Sequence, residues 1–398
     1  MKKINSLFKL CVLSAIVAFS SSCKSEKGDN AVVEPIERYT VFDAGQDSIN
    51  VYRIPTVVVA NDSSIIVIAE ARYISWVDKT RTDVVAKRST DGGKTWSEMM
   101  FLTNDTTGAY MDPTPVVDKT TGKIFLFANF WPFDDHSGKG NIPYLITSDD
   151  NGQTWNEPVD ISDILLSEGE YSMGFGPGAG IQMTGEKYNG RLIMPTRLAS
   201  GQDNEKRGYD IALYSDDHGE TWQKGEGNGN ASEFMIVETR PDTLIYNARV
   251  RDIRRSARSF DGGITWTEEE TDSMLPPVSG VTRGCQASIF AIGNDMYYCG
   301  IEGIPVTENN DERAILALYK SEDAGHTWER VTTLHQDAAA YSCMDVLPDG
   351  RMVLIFEGAD SPGFTRINLP DVRPYRHPED GWMRLELLVF DPENLAEN

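Results

Sequence analysis

Apolar and polar positions alternate along this chain in a recurring unit: an apolar run of about five residues, a short turn rich in Gly, Asp or Asn, then a second apolar run. Six such pairs follow one another: RIPTVVV with SSIIVIAEAR, DPTPVV with KIFLFANF, GAGIQM with RLIMPTR, EFMIVE with TLIYNAR, CQASIFA with MYYCGIEG, and CMDV with RMVLIFEG. Short β-branched and aromatic runs joined by tight turns predict antiparallel hairpins. The first five pairs are each followed by a third run, such as DVVAKRS or YDIALYS, that ends in Ser-x-Asp-x-Gly-x-Thr-Trp at 89–96, 148–155, 215–222, 259–266 and 321–328. In that octapeptide Asp and Ser can bond local backbone N–H groups, Gly supplies positive φ, and Trp turns back onto the layer below. Nothing in it requires a partner beyond its own backbone, so it reads as structural.

The unit repeats every 45 to 65 residues or so, which suits a four-stranded blade. The predicted fold is therefore all-β, a six-bladed β-propeller of four-stranded antiparallel blades. The sixth unit lacks the octapeptide, but MRLELLVFD near the C-terminus and ERYTVFDAG near the N-terminus can complete it. Joining both chain ends in one blade would close the ring and leave no free sheet edge. Helical periodicity is confined to a possible turn around DISDILLSEG, so a two-domain α/β arrangement is excluded.

Hairpin geometry sorts the polar residues. The start of a first strand and the end of a second lie at the same end of an antiparallel pair. Taken unit by unit this gives Arg53 and Arg72, Asp112 and Phe130, Gly178 and Arg197, Glu233 and Arg249, Gln286 and Glu302, Tyr341 and Glu357. Third strands begin at that end too, adding Asp78 or Asp83 and Arg313, while the Trp turns fall on the opposite face. Arginines and carboxylates thus gather at one mouth of the ring. They form either a binding site or a salt-bridge network that locks neighbouring blades.

The N-terminus carries Lys2, Lys3 and Lys9, an apolar stretch from Leu10 to Phe19, and small residues before Cys23. That is a secretory leader, of lipoprotein type or of the plain kind cleaved nearby. The expected organisation is a leader over 1–22, lipidation at Cys23, a polar tether over 23–36 and one β domain over 37–398. The product would be exported and anchored, periplasmic or at the cell surface, with no membrane contact except the lipid. The formal net charge of −24 becomes −27 when the leader's lysines are removed. Such acidity argues against nucleic acid or anionic lipid as a partner. Cys285, Cys299 and Cys343 then remain, permitting at most one disulfide, and neither they nor the five histidines form a metal framework.

YRIP at 52–55 followed by the repeated octapeptides, or Asp-boxes, resembles the bacterial exo-sialidases of glycoside hydrolase family 33, from about residue 37 to the C-terminus. The resemblance implies an arginine triad that grips the sialic acid carboxylate, at Arg53, Arg249 and Arg313. It implies an acid/base at Asp78, with Asp83 as competitor, and a nucleophile at Tyr341 polarised by Glu233. Supporting positions are Arg72 beside the acid/base, Glu357 beneath Arg53, and Asp112 toward the N-acyl group; GPGAGI at 176–181 matches a family loop. Cys343, where the family more often has Asp, and the additional Arg197 depart from the pattern.

The chemistry suits these residue types. Guanidinium groups take carboxylates in forked, charge-assisted pairs, so converging arginines fit a sugar whose anomeric carbon bears a carboxylate. A tyrosine near pKa 10 requires a base within hydrogen-bond reach, which Glu233 can provide. Asp78 must be protonated to serve the leaving oxygen, which predicts a raised pKa, and Trp76 could help exclude water. No cofactor is implied. The expected activity is retaining hydrolysis of terminal sialic acid from sialylated glycans or glycoconjugates through a sialyl-tyrosine intermediate. A non-catalytic glycan-binding propeller, a trans-sialidase and a hydrolase of another 2-keto sugar acid are the alternatives.

Overall fold

In a computed structural model, residues 36–134, 141–201, 207–276, 278, 280, 284–307, 311–364 and 383–395 are described. The leader, Cys23 and the tether up to residue 35 lie outside them.

Each predicted hairpin forms and extends into an antiparallel meander. Val51–Val59 pairs with Ile65–Arg72, which pairs with Thr82–Ser89, which takes the short outer strand Met100–Phe101. Gly108–Val117, Ile124–Pro132, Ile142–Ser148 and Val159–Asp160 repeat the pattern. So do Phe234–Arg240, Thr243–Val250, Ile253–Ser259 and Glu270–Asp272. Every residue of Val51–Val59 and of Ile65–Arg72 is buried. The near-continuous apolar runs follow from this, because a sheet covered on both faces has no solvent side to mark with polar residues.

Two stretches differ from the sequence reading. The inner strand expected at GAGIQM is split: Glu170–Phe175 and Ile181–Gln182 both pair with Leu192–Ser200. Gly174 and the GPG turn interrupt the apolar run, which hides its first half from a periodicity argument. Glu329–Val346 is a single 18-residue strand whose first part pairs with Ala314–Ser321 and whose second part pairs with Met352–Gly358. It carries the chain from one sheet directly into the next. The predicted helical turn is the four-residue helix Ser162–Leu165.

The two chain ends meet as expected. Met352–Gly358 pairs with Arg384–Phe390, and this in turn pairs with Glu37–Asp43, from Glu37 opposite Val389 to Asp43 opposite Arg384. Inner strands pack on one another in sequence: Val51–Val59 touches Gly108–Val117 on one side and Glu329–Val346 on the other.

All five octapeptides close the same way. The Ser Oγ accepts the N–H of the box glycine at 2.8–2.9 Å, and the Thr hydroxyl donates to the Asp carboxylate at 2.6 Å in every copy. The box glycines sit at φ between +75° and +95°, where a side chain would be strained. Trp222 stands edge-on to Phe125 and Phe127, joining two successive sheets. Each box follows the far end of its third strand, so the turns hold the fold and stay away from the polar ends.

Candidate active site

At the polar ends, three inner strands and the third strand Ala314–Ser321 are irregular in a repeated way. The pairing register slips between Arg53 and Thr56, between Met111 and Thr114, between Ala314 and Leu316, and between Ala339 and Ser342. Ile54, Asp112 and Ile315 have φ of 49°, 55° and 60°. A bulge turns the next side chain out of the alternation and re-aims it. A β-branched residue at positive φ is held only if its surroundings force it. At Ile54 the force is visible: its N–H donates to Glu357 Oε1 at 2.8 Å.

Glu357 also takes both forks of Arg53, Nε to Oε1 and Nη2 to Oε2, each at 3.0 Å. The Arg53 guanidinium lies 5.5 Å from the Tyr341 ring centroid, and that of Arg313 lies 5.4 Å from it. Arg249 donates from Nη1 to Glu233 Oε2 at 2.7 Å and to the Tyr341 hydroxyl at 3.0 Å. Arg53, Arg249 and Arg313 therefore converge on one tyrosine. Gln286 fixes the adjoining backbone, accepting the Ser342 N–H at 3.0 Å and donating to the Ser342 carbonyl at 2.9 Å.

The Tyr341 hydroxyl donates to Glu233 Oε1 at 2.6 Å. Burial would raise the Glu233 carboxyl, but Arg249, Arg197 and the tyrosine hydroxyl bring it down to about 2. Burial and the Glu233 charge push the Tyr341 phenol well above its ordinary value. At rest the proton therefore stays on tyrosine beside an ionised acceptor.

Asp78 lies on the exposed loop after Ile65–Arg72, within 2.8 Å of Arg72 Nη1, its side chain 63% exposed. Burial acts to raise its carboxyl, yet Arg72 and then Arg53 outweigh that and hold it below the ordinary range. This corrects the expectation of a raised value: before a carboxylate ligand binds, two cations face this group. Asp83, the competitor, is fully buried and accepts from Thr103 Oγ1 at 2.9 Å, from the Asp105 N–H at 3.0 Å and from the Tyr73 hydroxyl at 3.0 Å. It holds a turn and does not face the site. Trp76 is 38% exposed, and its carbonyl accepts from Arg72.

Asp112 pairs with Arg197, Nη2 to Oδ2 at 2.5 Å, and its N–H donates to Glu70 Oε1 at 2.9 Å. Glu70 was not singled out from sequence, although a carboxylate inside the apolar run IIVIAEAR was a signal. It is fully buried and braces Arg72, accepting Nε at 2.8 Å and Nη2 at 2.5 Å. Burial, resisted by Arg72 and helped by Asp112, raises the Glu70 carboxyl to about 7. Asp311 was missed as well; burial lifts it to about 6 despite the N–H of Arg313.

One mouth assignment, that of Glu302, does not survive, and the departure at Cys343 falls in the interior. Cys343 is fully buried, its sulfur 3.5 Å from Thr56 Oγ1 and 3.7 Å from the Val57 carbonyl. It faces the packed interior because side chains alternate along the strand, and Tyr341 two residues earlier is turned aside by the bulge. Glu302 pairs with Arg330 at 2.6 Å and accepts from Tyr319, toward the outer strands. The three described cysteines are all free.

Known proteins resemble this chain over much of its length. The BNR repeat-like domain family model matches residues 70–354. A sialidase from Paraclostridium sordellii is 30% identical over 286 residues, 66% of this chain and 69% of that protein. A sialidase from Clostridium perfringens is 32% identical over 258 residues, 60% of this chain and 65% of that one. The chain thus spans about two thirds of the length of these relatives. Among solved structures, the Hadza microbial sialidase Hz136 superposes with a TM-score of 0.72 at 24% identity, covering 90% of this chain and 69% of the other.

Proposed function

The chain belongs to the sialidase family of BNR-repeat glycoside hydrolases, and from that premise we propose that it is an exo-α-sialidase releasing terminal sialic acid from glycoconjugates with retention of configuration. The observation that carries the reading is the Arg249–Glu233–Tyr341 triangle, with hydrogen bonds of 2.7, 2.6 and 3.0 Å. Its scaffold is a closed ring of six blades, a reading supported by the meander pairing and by the contact of Val51–Val59 with Glu329–Val346.

The substrate carboxylate sits on Arg53, Arg249 and Arg313. Arg249 then shares its charge with the ligand and loosens its hold on Glu233, whose proton affinity rises. Tyr341 attacks the anomeric carbon as its proton passes to Glu233, an arrangement that brings a neutral nucleophile to an anionic centre. Sialidases with a tyrosine nucleophile are a recognised exception to two-carboxylate glycoside hydrolysis. Asp78 gives its proton to the leaving oxygen, and the bound carboxylate aids it by neutralising the cations that depress its pKa. Asp78 then takes a proton from the water that releases the sugar. Export and lipidation at Cys23 would place this chemistry on glycans outside the cytoplasm.

Time-resolved proton NMR of the protein with sialyllactose tests this. Early α-anomer of free sialic acid is the expected product, and early β-anomer would discard the retaining mechanism. Tyr341→Phe should bind sialic acid and turn over little; near-normal turnover would remove Tyr341 from the nucleophile role.

A further inference from the structure

Each arginine of the triad is accompanied by a carboxylate. Arg53 is forked by Glu357, and Arg249 is held by Glu233. On the third arginine's own segment, Asp311 and Glu312 immediately precede Arg313. Asp311 Oδ1 accepts the Arg313 N–H at 2.9 Å, and the Asp311 N–H donates to the Phe364 carbonyl at 2.9 Å, which fixes the turn that delivers Arg313 to the site. Glu312 is 1% exposed, its carboxyl carbon only 2.4 Å from where a Cβ on Gly280 would stand. The Arg313 guanidinium donates from Nη2 to the Gly284 carbonyl at 3.3 Å and borders the Tyr341 ring, as does that of Arg53.

The Asp311 carboxyl stands in the field of both arginines that border Tyr341. Burial and the Glu312 charge push it up, while the Arg313 N–H, the Arg313 guanidinium and Arg53 pull it down, and the balance lies at about 6. On the segment ending at Phe364 the acid is Asp360, which Arg384 engages at 2.7 Å.

An anion placed this way acts on the same cations that a sugar-acid carboxylate binds. Two carboxylates drawn to one pair of guanidiniums repel each other, and the repulsion is strong where water is scarce. Resting on the sialidase reading above, we propose that Asp311 sets the affinity of the carboxylate site: ionised, it opposes the substrate carboxylate, and by taking up a proton from solvent as substrate arrives it lets the arginines hold that group fully. The sugar acid is then held more firmly in mildly acidic than in neutral solution. The same repulsion hastens departure of the product, which keeps its carboxylate, and the proton returns to solvent with it.

The sign of the effect separates this role from a structural one. Asp311→Asn retains an oxygen for the Arg313 N–H and removes the charge, whereas Asp311→Ala removes both. A loosened turn raises KM; a lost charge lowers it. On a fluorogenic α-ketoside of sialic acid at about pH 7.5, KM of Asp311→Asn should lie about threefold or more below that of the wild type, with kcat unchanged or lower. At about pH 5, where the wild-type carboxyl is protonated, the two KM values should converge. The wild type by itself provides a second reading: the inhibition constant of free sialic acid should fall as pH passes down through about 6, and a constant value across that range overturns the proposal without any variant. A KM for Asp311→Asn equal to or above the wild-type value near neutral pH also overturns it, while leaving the sialidase reading standing. No cleavage of the ketoside by the folded wild type removes both.

Discussion

The Arg53–Glu357 pair offers a direct test of how the substrate-facing arginines are held. The side chains are 8% and 0% exposed, so neither charge has water to fall back on. Glu357 accepts three bonds, two from the guanidinium at 3.0 Å and one from the Ile54 N–H at 2.8 Å. In Glu357→Gln one amide oxygen remains to accept, while the new NH2 group points donors at a donor. Removing one partner of a buried pair costs about 3–5 kcal/mol, because a desolvated charge is left uncompensated. The retained acceptor returns about 1 kcal/mol, which sets the expected loss near 3 kcal/mol. Arg53→Met combined with Glu357→Leu removes both charges and fills similar volume, so it should be at least ~2 kcal/mol more stable than the sum of the single losses predicts. Urea unfolding followed by tryptophan fluorescence measures the wild type, Glu357→Gln, the two single variants Arg53→Met and Glu357→Leu, and their double. A loss under ~1 kcal/mol for Glu357→Gln, or additivity across the cycle, would refute the idea that this pair fixes Arg53.

Other outcomes follow from the same geometry. Asp78 is held below the ordinary carboxylate range in the free protein, so its protonated fraction grows as pH falls, while Glu233 at about 2 stays ionised. kcat/KM should accordingly rise from neutral into mildly acidic pH, and the alkaline limb of kcat should lie at higher pH than that of kcat/KM, because bound substrate neutralises the depressing arginines; a kcat/KM that climbs with pH would contradict this. Asp261→Ala deletes acceptors for Ser259, the Thr265 N–H and the Thr265 hydroxyl, and should lower stability by about 1 kcal/mol with turnover unchanged. Its carboxyl is depressed in the folded state, so that contribution is present above the unfolded pKa and disappears as pH falls through the folded value, closing the gap between the two proteins in acid-dependent melting. Gly174→Ala forces a side chain into φ +124° and against Arg197; thermal melting should show a loss above ~1 kcal/mol, with activity reduced on every ketoside.

Much of the fold is local in origin and so was legible along the chain. A hairpin needs two apolar runs and a turn, and an Asp-box needs only its own Ser, Asp, Gly and Thr, so strands such as Ile65–Arg72 and the five identical turns follow from short-range pattern. The rule that strand starts and ends share one side brought Arg53, Glu233, Arg249, Tyr341 and Glu357 to one mouth without any knowledge of distances. Glu170–Phe175 escaped because its glycine breaks the apolar run, and the 18-residue Glu329–Val346 escaped because no turn residue marks where it leaves one sheet for the next.

The sequence by itself determined which residues gather; tertiary structure decided which way they point and what charge each carries. Alternation alone cannot foresee the bulges at Ile54 and Asp112, since a single inserted residue reverses every side chain beyond it. Nor can it foresee that Asp78 is depressed, Glu70 raised to about 7 and Arg197 locked to Asp112. Those properties arise from burial and from charges on strands distant in sequence, and Coulomb energy depends on separation in space, which only the packed sheets establish.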